Sequence, residues 1–151
     1  MKPRLVVGLG GELAGDDAVG LVLAGRLAID PRLPPDVEVL MGGSDLLRLA
    51  TALQGRRHVV LVDALAGSAG EVDPLVGDHP LQELDRRQQH AHHLSAVDAL
   101  DLLRLTEPQL AATRCTWFLV PIANAGPAAG ISSALDARLP RLLDRLLAVL
   151  G

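Results

Sequence analysis

The chain has 151 residues, 49% of them hydrophobic, with one Trp, one Phe, no Tyr and a formal charge of −4. That length suits one domain, 1–151, built around an aliphatic core of Leu, Val, Ala and Ile. The scarcity of aromatics excludes a base-stacking platform for single-stranded nucleic acid, and the acidic balance excludes a nucleic-acid footprint. The lone Cys115 rules out an internal disulfide framework and fits a reducing cytoplasm.

In chain order, residues 5–9 (LVVGL) predict a short buried strand, and residues 16–28 a helix with Val19, Val22, Leu23 and Leu27 on its apolar face. Pro31, Pro34 and Pro35 stop that helix. Residues 37–41 predict a second strand, Gly42 and Gly43 a turn, and residues 45–54 a short helix stopped by Gly55. Residues 58–63 (HVVLVD) predict a third strand, apolar throughout and so buried on both faces. Residues 70–76 suggest an extra edge strand, and 79–89 are polar and ambiguous. A helix is expected over 95–105, a strand over 115–121, and a closing helix over 132–150, interrupted at Pro140. No run is long and apolar enough for a membrane span, since Arg141, Asp144 and Arg145 break the last helix.

Alternating strands and helices imply an α/β fold: a three-layer sandwich with a largely parallel twisted sheet of about five strands and helices on both faces. Ligands bind such sheets beyond the carboxyl ends of the strands. Asp17 follows the first strand, Gly42 and Gly43 the second, and Asp63 ends the third, so all three loops open on one edge.

The first of these loops carries the most information. GLGGELAGDDAVG joins a strand to a helix, a place where glycine-rich loops usually hold phosphate through backbone N–H groups and the helix dipole. The dinucleotide fingerprint fails at Leu13, and the P-loop fails because Asp16 and Asp17 stand where Lys and Ser or Thr are needed. Adjacent carboxylates repel an anion, so a cation is the first candidate ligand. A pure capping role for both aspartates is the plainer alternative.

His90, His92 and His93 make the densest imidazole cluster, and two carboxylates with one His suit Zn, Ni or Fe. Solvated loop histidines would read the same way. His58 and His79 read as surface residues and Cys115 as a small core residue. Ser44, Ser68 and Ser95 lack a nucleophile-elbow context.

With these residues in view, the chain resembles the hydrogenase maturation endopeptidases along nearly its whole length. GLGG with ELAG and DDAVG answers the family's opening G-x-G-N and D-[DE]-x-x-G. Met41-Gly42-Gly43-Ser44 answers its D-G-G-T loop, and Asp63-Ala64 its strand-end Asp-Ala. His92-His93-Leu94 with Asp98 answers its His-x-L segment, and Pro121 to Gly130 the loop before its last helix.

The resemblance implies Asp17, Asp63 and His92 as metal ligands and Asp17 and Asp63 as catalytic carboxylates, with Gly42, Gly43 and Ser44 on the substrate side. It further implies a peptidase that removes the C-terminal extension of a nickel–iron hydrogenase large-subunit precursor. The nickel would arrive with that substrate, and a monomer is expected because the partner must reach the site. Gly11 and Met41 depart from the family's Asn and acidic residue. A non-proteolytic assembly factor of the same fold is therefore the alternative, and a small-molecule-binding α/β module holding a sugar or amine a more distant one.

Overall fold

The computed structural model describes residues 1–11, 15–66, 73–78, 91–123, 128 and 130–151, with residues 91–95 and 97 described by backbone only. Strands β1 (Arg4–Leu9), β2 (Val37–Gly43), β3 (His58–Ala66), β4 (Leu75–Gly77) and β5 (Arg114–Ile122) form one sheet in the order β2-β1-β3-β5-β4. The β1–β2, β1–β3 and β3–β5 pairs are parallel, and β4 alone runs antiparallel, against β5. Helices α1 (Val19–Ala28), α2 (Ala50–Leu53), α3 (Ala91–Thr106) and α4 (Ser133–Leu150) complete the layers.

Strand alternation sorts the core in two. Val6, Val60 and Val62 meet Leu23 and Leu27 of α1 and Leu139, Leu142 and Leu146 of α4 on one face. Leu5, Val7, Val59 and Leu61 meet Leu53 of α2 and Leu100 and Leu103 of α3 on the other. The expected α/β sandwich is therefore observed. Among the described residues no helix is long and apolar enough to cross a membrane.

Several expected boundaries move: β2 takes in Gly42 and Gly43, expected as a turn, and α3 begins at Ala91, ahead of the expected start. β3 does not end at Asp63 but runs on to Ala66, because β5 offers a pairing partner as far as Ile122. The closing helix is not interrupted at Pro140 but continues through it. Pro140 lies on the exposed side, while Leu135, Leu139, Leu142, Leu146 and Leu150 form an unbroken buried stripe. The helix expected over 45–54 divides into a 3-10 turn, Leu46–Leu49, and the short α2. The extra edge strand exists as β4, while residues 70–72, 79–90 and Ser68 lie outside the described residues.

The sheet end opposite the strand carboxyl termini is tied by arginines. Arg4 makes a two-pronged contact to Asp36, with Nε–Oδ2 at 2.8 Å and Nη2–Oδ1 at 2.7 Å. Buried Arg56 donates to Lys2 O and to Glu38 Oε2, both at 2.6 Å. Hydrogen bonds from Arg4, Arg32 and Arg56 hold the carboxyls of Asp36, Asp30 and Glu38 below the ordinary range. A depressed folded-state pKa contributes stability that is present above the unfolded value and is lost as pH falls through the folded one. The contribution of these three carboxylates is thus expected to be level from pH 7 to about 5 and to be lost below ~4, the ordinary carboxylate value. Urea titrations across pH 3–7 check this, and Glu38→Gln should shallow the acid limb. An acid limb unaltered by that change would contradict the assignment.

Candidate functional site at the carboxyl ends of the strands

The first turn is shaped by glycines that allow backbone contact. A Cβ on Gly20 would lie 2.3 Å from Val62 O and 2.4 Å from Leu9 O, and one on Gly8 would lie 2.5 Å from Gly20 O. Helix α1 therefore begins pressed directly onto β1 and β3, with the 3-10 turn Gly15–Ala18 carrying Asp16 and Asp17 over the strand ends. Gly10, at φ +133°, donates from its N–H to Gly43 O at 2.8 Å and so stitches this loop to the end of β2.

The two adjacent aspartates are not equivalent. Asp16 accepts from Ser132 N–H at 2.6 Å and from Ser132 Oγ at 2.9 Å, while Ser132 Oγ caps α4 by accepting from Leu135 N–H. Asp16 is thus committed to joining the first loop to the last helix. Asp17 is half-buried, and its Oδ1 is buried with no hydrogen-bond partner among the described residues. Neither aspartate caps α1, whose N-cap position is Ala18 with no side-chain bond. A buried, unpaired carboxylate oxygen is costly unless a cation or donor comes to it. Asp17 therefore fits a metal-facing role, and Asp16 does not.

Asp63 sits where β3 outruns β1, since Gly8–Val62 is the last pairing between those strands. It is 2% exposed, and its Oδ1 accepts from the N–H of Ala64 at 2.8 Å, which orients the carboxylate plane. Asp63 lines a cleft of about 110 Å³ together with Ser44, Asp45, Leu47 and two small residues of α3, Ala96 and Ala99. Asp17 is not among that cleft's lining residues. Of the expected substrate-side residues, Ser44 lines it, whereas Gly42 and Gly43 shape the end of β2. A Cβ on Gly42 would meet Val7 Cγ1 at 2.6 Å and Leu49 Cδ1 at 2.8 Å.

Asp45 also lines this cleft, and its Oδ1 caps the following 3-10 turn by accepting from Leu47 N–H at 3.1 Å. Its position after the Gly-Gly turn was the available sequence signal. Nothing in the sequence marked Ala96 and Ala99 as the wall opposite. His92 lies in the first turn of α3, but its side chain and that of His93 fall outside the described residues, as does all of His90. Among the described residues no three His, Cys, Asp or Glu side chains gather into a metal-holding group. Asp17 and Asp63 are thus placed in atomic detail, and His92 by helix position alone.

The remaining candidates lie elsewhere. His58 is half-buried, not a free surface residue: its Nε2 is 2.8 Å from Thr116 Oγ1, and that hydroxyl donates to Asp78 Oδ1 at 3.2 Å. Burial, with Arg114, Arg4 and Arg57 nearby, holds this imidazole below its usual pKa, at the sheet end away from Asp63. Cys115 is buried, and burial pushes its thiol pKa up, which suits a core residue and not a nucleophile. His79 lies outside the described residues.

A largely parallel five-stranded sheet with helices on both faces is a fold this chain shares with solved hydrogenase maturation endopeptidases. In sequence the chain is 27% identical over 148 residues to the hydrogenase 2 maturation protease of Escherichia coli, covering 97% of this chain and 89% of that protein. It is also 27% identical over 137 residues to protein FrxA of Pyrococcus furiosus, covering 90% and 96%. The solved hydrogenase maturating endopeptidase HybD of E. coli superposes with a TM-score of 0.78 at 25% identity, covering 99% of this chain and 92% of that one. The fold is shared equally with HybD of Thermococcus kodakarensis, at a TM-score of 0.79 and 23% identity over the whole of both chains. No family model matches the chain. This likeness in sequence and fold supports a peptidase.

Proposed function

We propose that this chain is a cytoplasmic endopeptidase that removes the C-terminal extension of a nickel-loaded hydrogenase large-subunit precursor. Asp17, Asp63 and His92 inspect the metal carried by the substrate. The observation that carries the reading is the contrast between neighbours: Asp16 is bonded to Ser132, while Asp17 keeps a buried oxygen with no partner among the described residues. Two carboxylates and an imidazole leave coordination positions for ligands of the incoming protein, as inspection of a delivered metal requires.

The nickel is cargo of the substrate and supplies a Lewis-acidic centre that fixes the peptide's position. The chain's own residues do the rest. Asp63, buried in the cleft and oriented by the Ala64 N–H, is suited to deprotonating a water for attack on the scissile carbonyl and to passing that proton to the amine released as the C–N bond breaks. Ser44, on the same cleft, offers a hydroxyl to the peptide backbone.

Mixing the purified chain with nickel-loaded precursor and measuring the precursor's intact mass tests the reading. Loss of the C-terminal extension is expected, and none from precursor lacking nickel. A stable complex without shortening would replace the reading with that of an assembly factor. Neither binding nor shortening would remove its basis.

A further inference from the structure

The sheet has two edges, and among the described residues only one is protected. At one edge β4 has three residues and is followed by Asp78, which pairs with Arg114 and accepts from Thr116. Short length and charge are the ordinary devices that keep an edge from pairing. At the other edge β2 has seven residues, and its last five, VLMGG, contain no charge and no proline.

The hydrogen-bond phase of β2 can be derived. Arg4 N–H donates to Asp36 O, and Arg4 is registered with Val37. In a parallel ladder this turns the peptide groups of Glu38 and Leu40 toward β1 and those of Val37, Val39 and Met41 outward. Val37 is already satisfied, its N–H by Pro34 O at 3.1 Å and its carbonyl by Lys2 Nζ at 3.2 Å. Among the described residues nothing pairs with the outward groups of Val39 and Met41.

This open stretch leads into the site. The β1–β2 register skips Gly42 as a bulge, and Gly43 turns at φ +71°, so the chain passes from the edge to Ser44 and the Asp63 cleft. Half-exposed Met41, at 51%, and Leu47, at 47%, put apolar surface beside that path.

We infer that an extended, uncharged segment of the substrate precursor adds to β2 as a sixth strand, hydrogen-bonded to Val39 and Met41, and delivers its next residues to the Asp63 cleft. The inference rests on the endopeptidase reading and names how its substrate is held. Continuity of the free edge with the cleft identifies the occupant: a partner seated elsewhere would not need an unguarded edge to end there. Main-chain recognition reads extended conformation more than side-chain identity.

Amide hydrogen exchange of the Asp63→Asn chain, with and without nickel-loaded precursor, tests this, with cleavage by the unsubstituted chain followed in parallel. In the free chain the Val39 and Met41 amides should exchange fast and Leu40 slowly. Added precursor should slow Val39 and Met41 by about tenfold or more, as expected for newly bonded amides. Met41→Pro, which removes one outward donor and no ladder bond, should raise KM with little change in kcat. Cleavage with unprotected Val39 and Met41 amides would overturn the inference and leave the endopeptidase reading standing. Failure to bind or cleave precursor would overturn both. Protection that grows with the concentration of the chain alone would make a second copy the occupant, and overturn the inference.

Discussion

Asp63→Asn is expected to lower precursor cleavage by about 10²–10⁴-fold, the range lost when a positioned general base is removed, while the folded chain remains intact. The substitution keeps volume and shape, and the amide oxygen can still accept from the Ala64 N–H that now bonds Asp63 Oδ1. What disappears is the negative charge and the ability to take a proton. Because the swap conserves the volume of a side chain that is 2% exposed, the melting temperature should hold within a few degrees. Activity is therefore expected to fall without a matching loss of stability. Intact-mass kinetics on nickel-loaded precursor, paired with thermal unfolding, reads both. Cleavage within a fewfold of the unsubstituted rate would end the assignment of Asp63 as base. A collapse in melting temperature would instead make the residue structural.

Much of this architecture is visible in the residue pattern because buried parallel strands are apolar without interruption, as in VVLV of β3. What the pattern misplaces are features decided by partners. Asp63 reads as a terminator since a carboxylate rarely continues a buried strand, yet β5 carries the pairing past it. Pro140 reads as a break, yet one exposed proline does not outweigh the buried leucine stripe of α4. At the site, the resemblance alone singles out Asp17 from its neighbour, and the difference between them is tertiary: Asp16 is spent on Ser132, 116 positions away. The outward phase of Val39 and Met41 is likewise absent from the sequence, because it follows from the ladder that Arg4 and Asp36 begin.

Gly20→Ala should separate the fold from its chemistry most sharply. In an isolated helix, alanine in place of glycine gains roughly 1 kcal/mol. Here the added methyl would lie 2.3 Å from Val62 O and 2.4 Å from Leu9 O, whereas a carbon–oxygen contact needs about 3.3 Å. Both obstacles are backbone, so no side-chain rotation relieves them, and the start of α1 must retreat by about 1 Å at an overpacking cost of about 1–3 kcal/mol. The net loss in stability is therefore about 0–2 kcal/mol, a fall in melting temperature of up to roughly 8 °C. The effect on cleavage is expected to be far larger. Asp17 is three residues before Gly20 on the displaced turn, and a misplacement of about 1 Å in a reacting constellation costs on the order of 10²-fold. Gly25→Ala, on the same helix, provides the contrast: its methyl meets only the flexible end of Met41, at 2.9 Å, so the helix-propensity gain should survive as increased stability. If Gly20→Ala cleaves at the normal rate while melting lower, the glycine serves packing alone, and the turn over β3 does not hold Asp17 for the reaction.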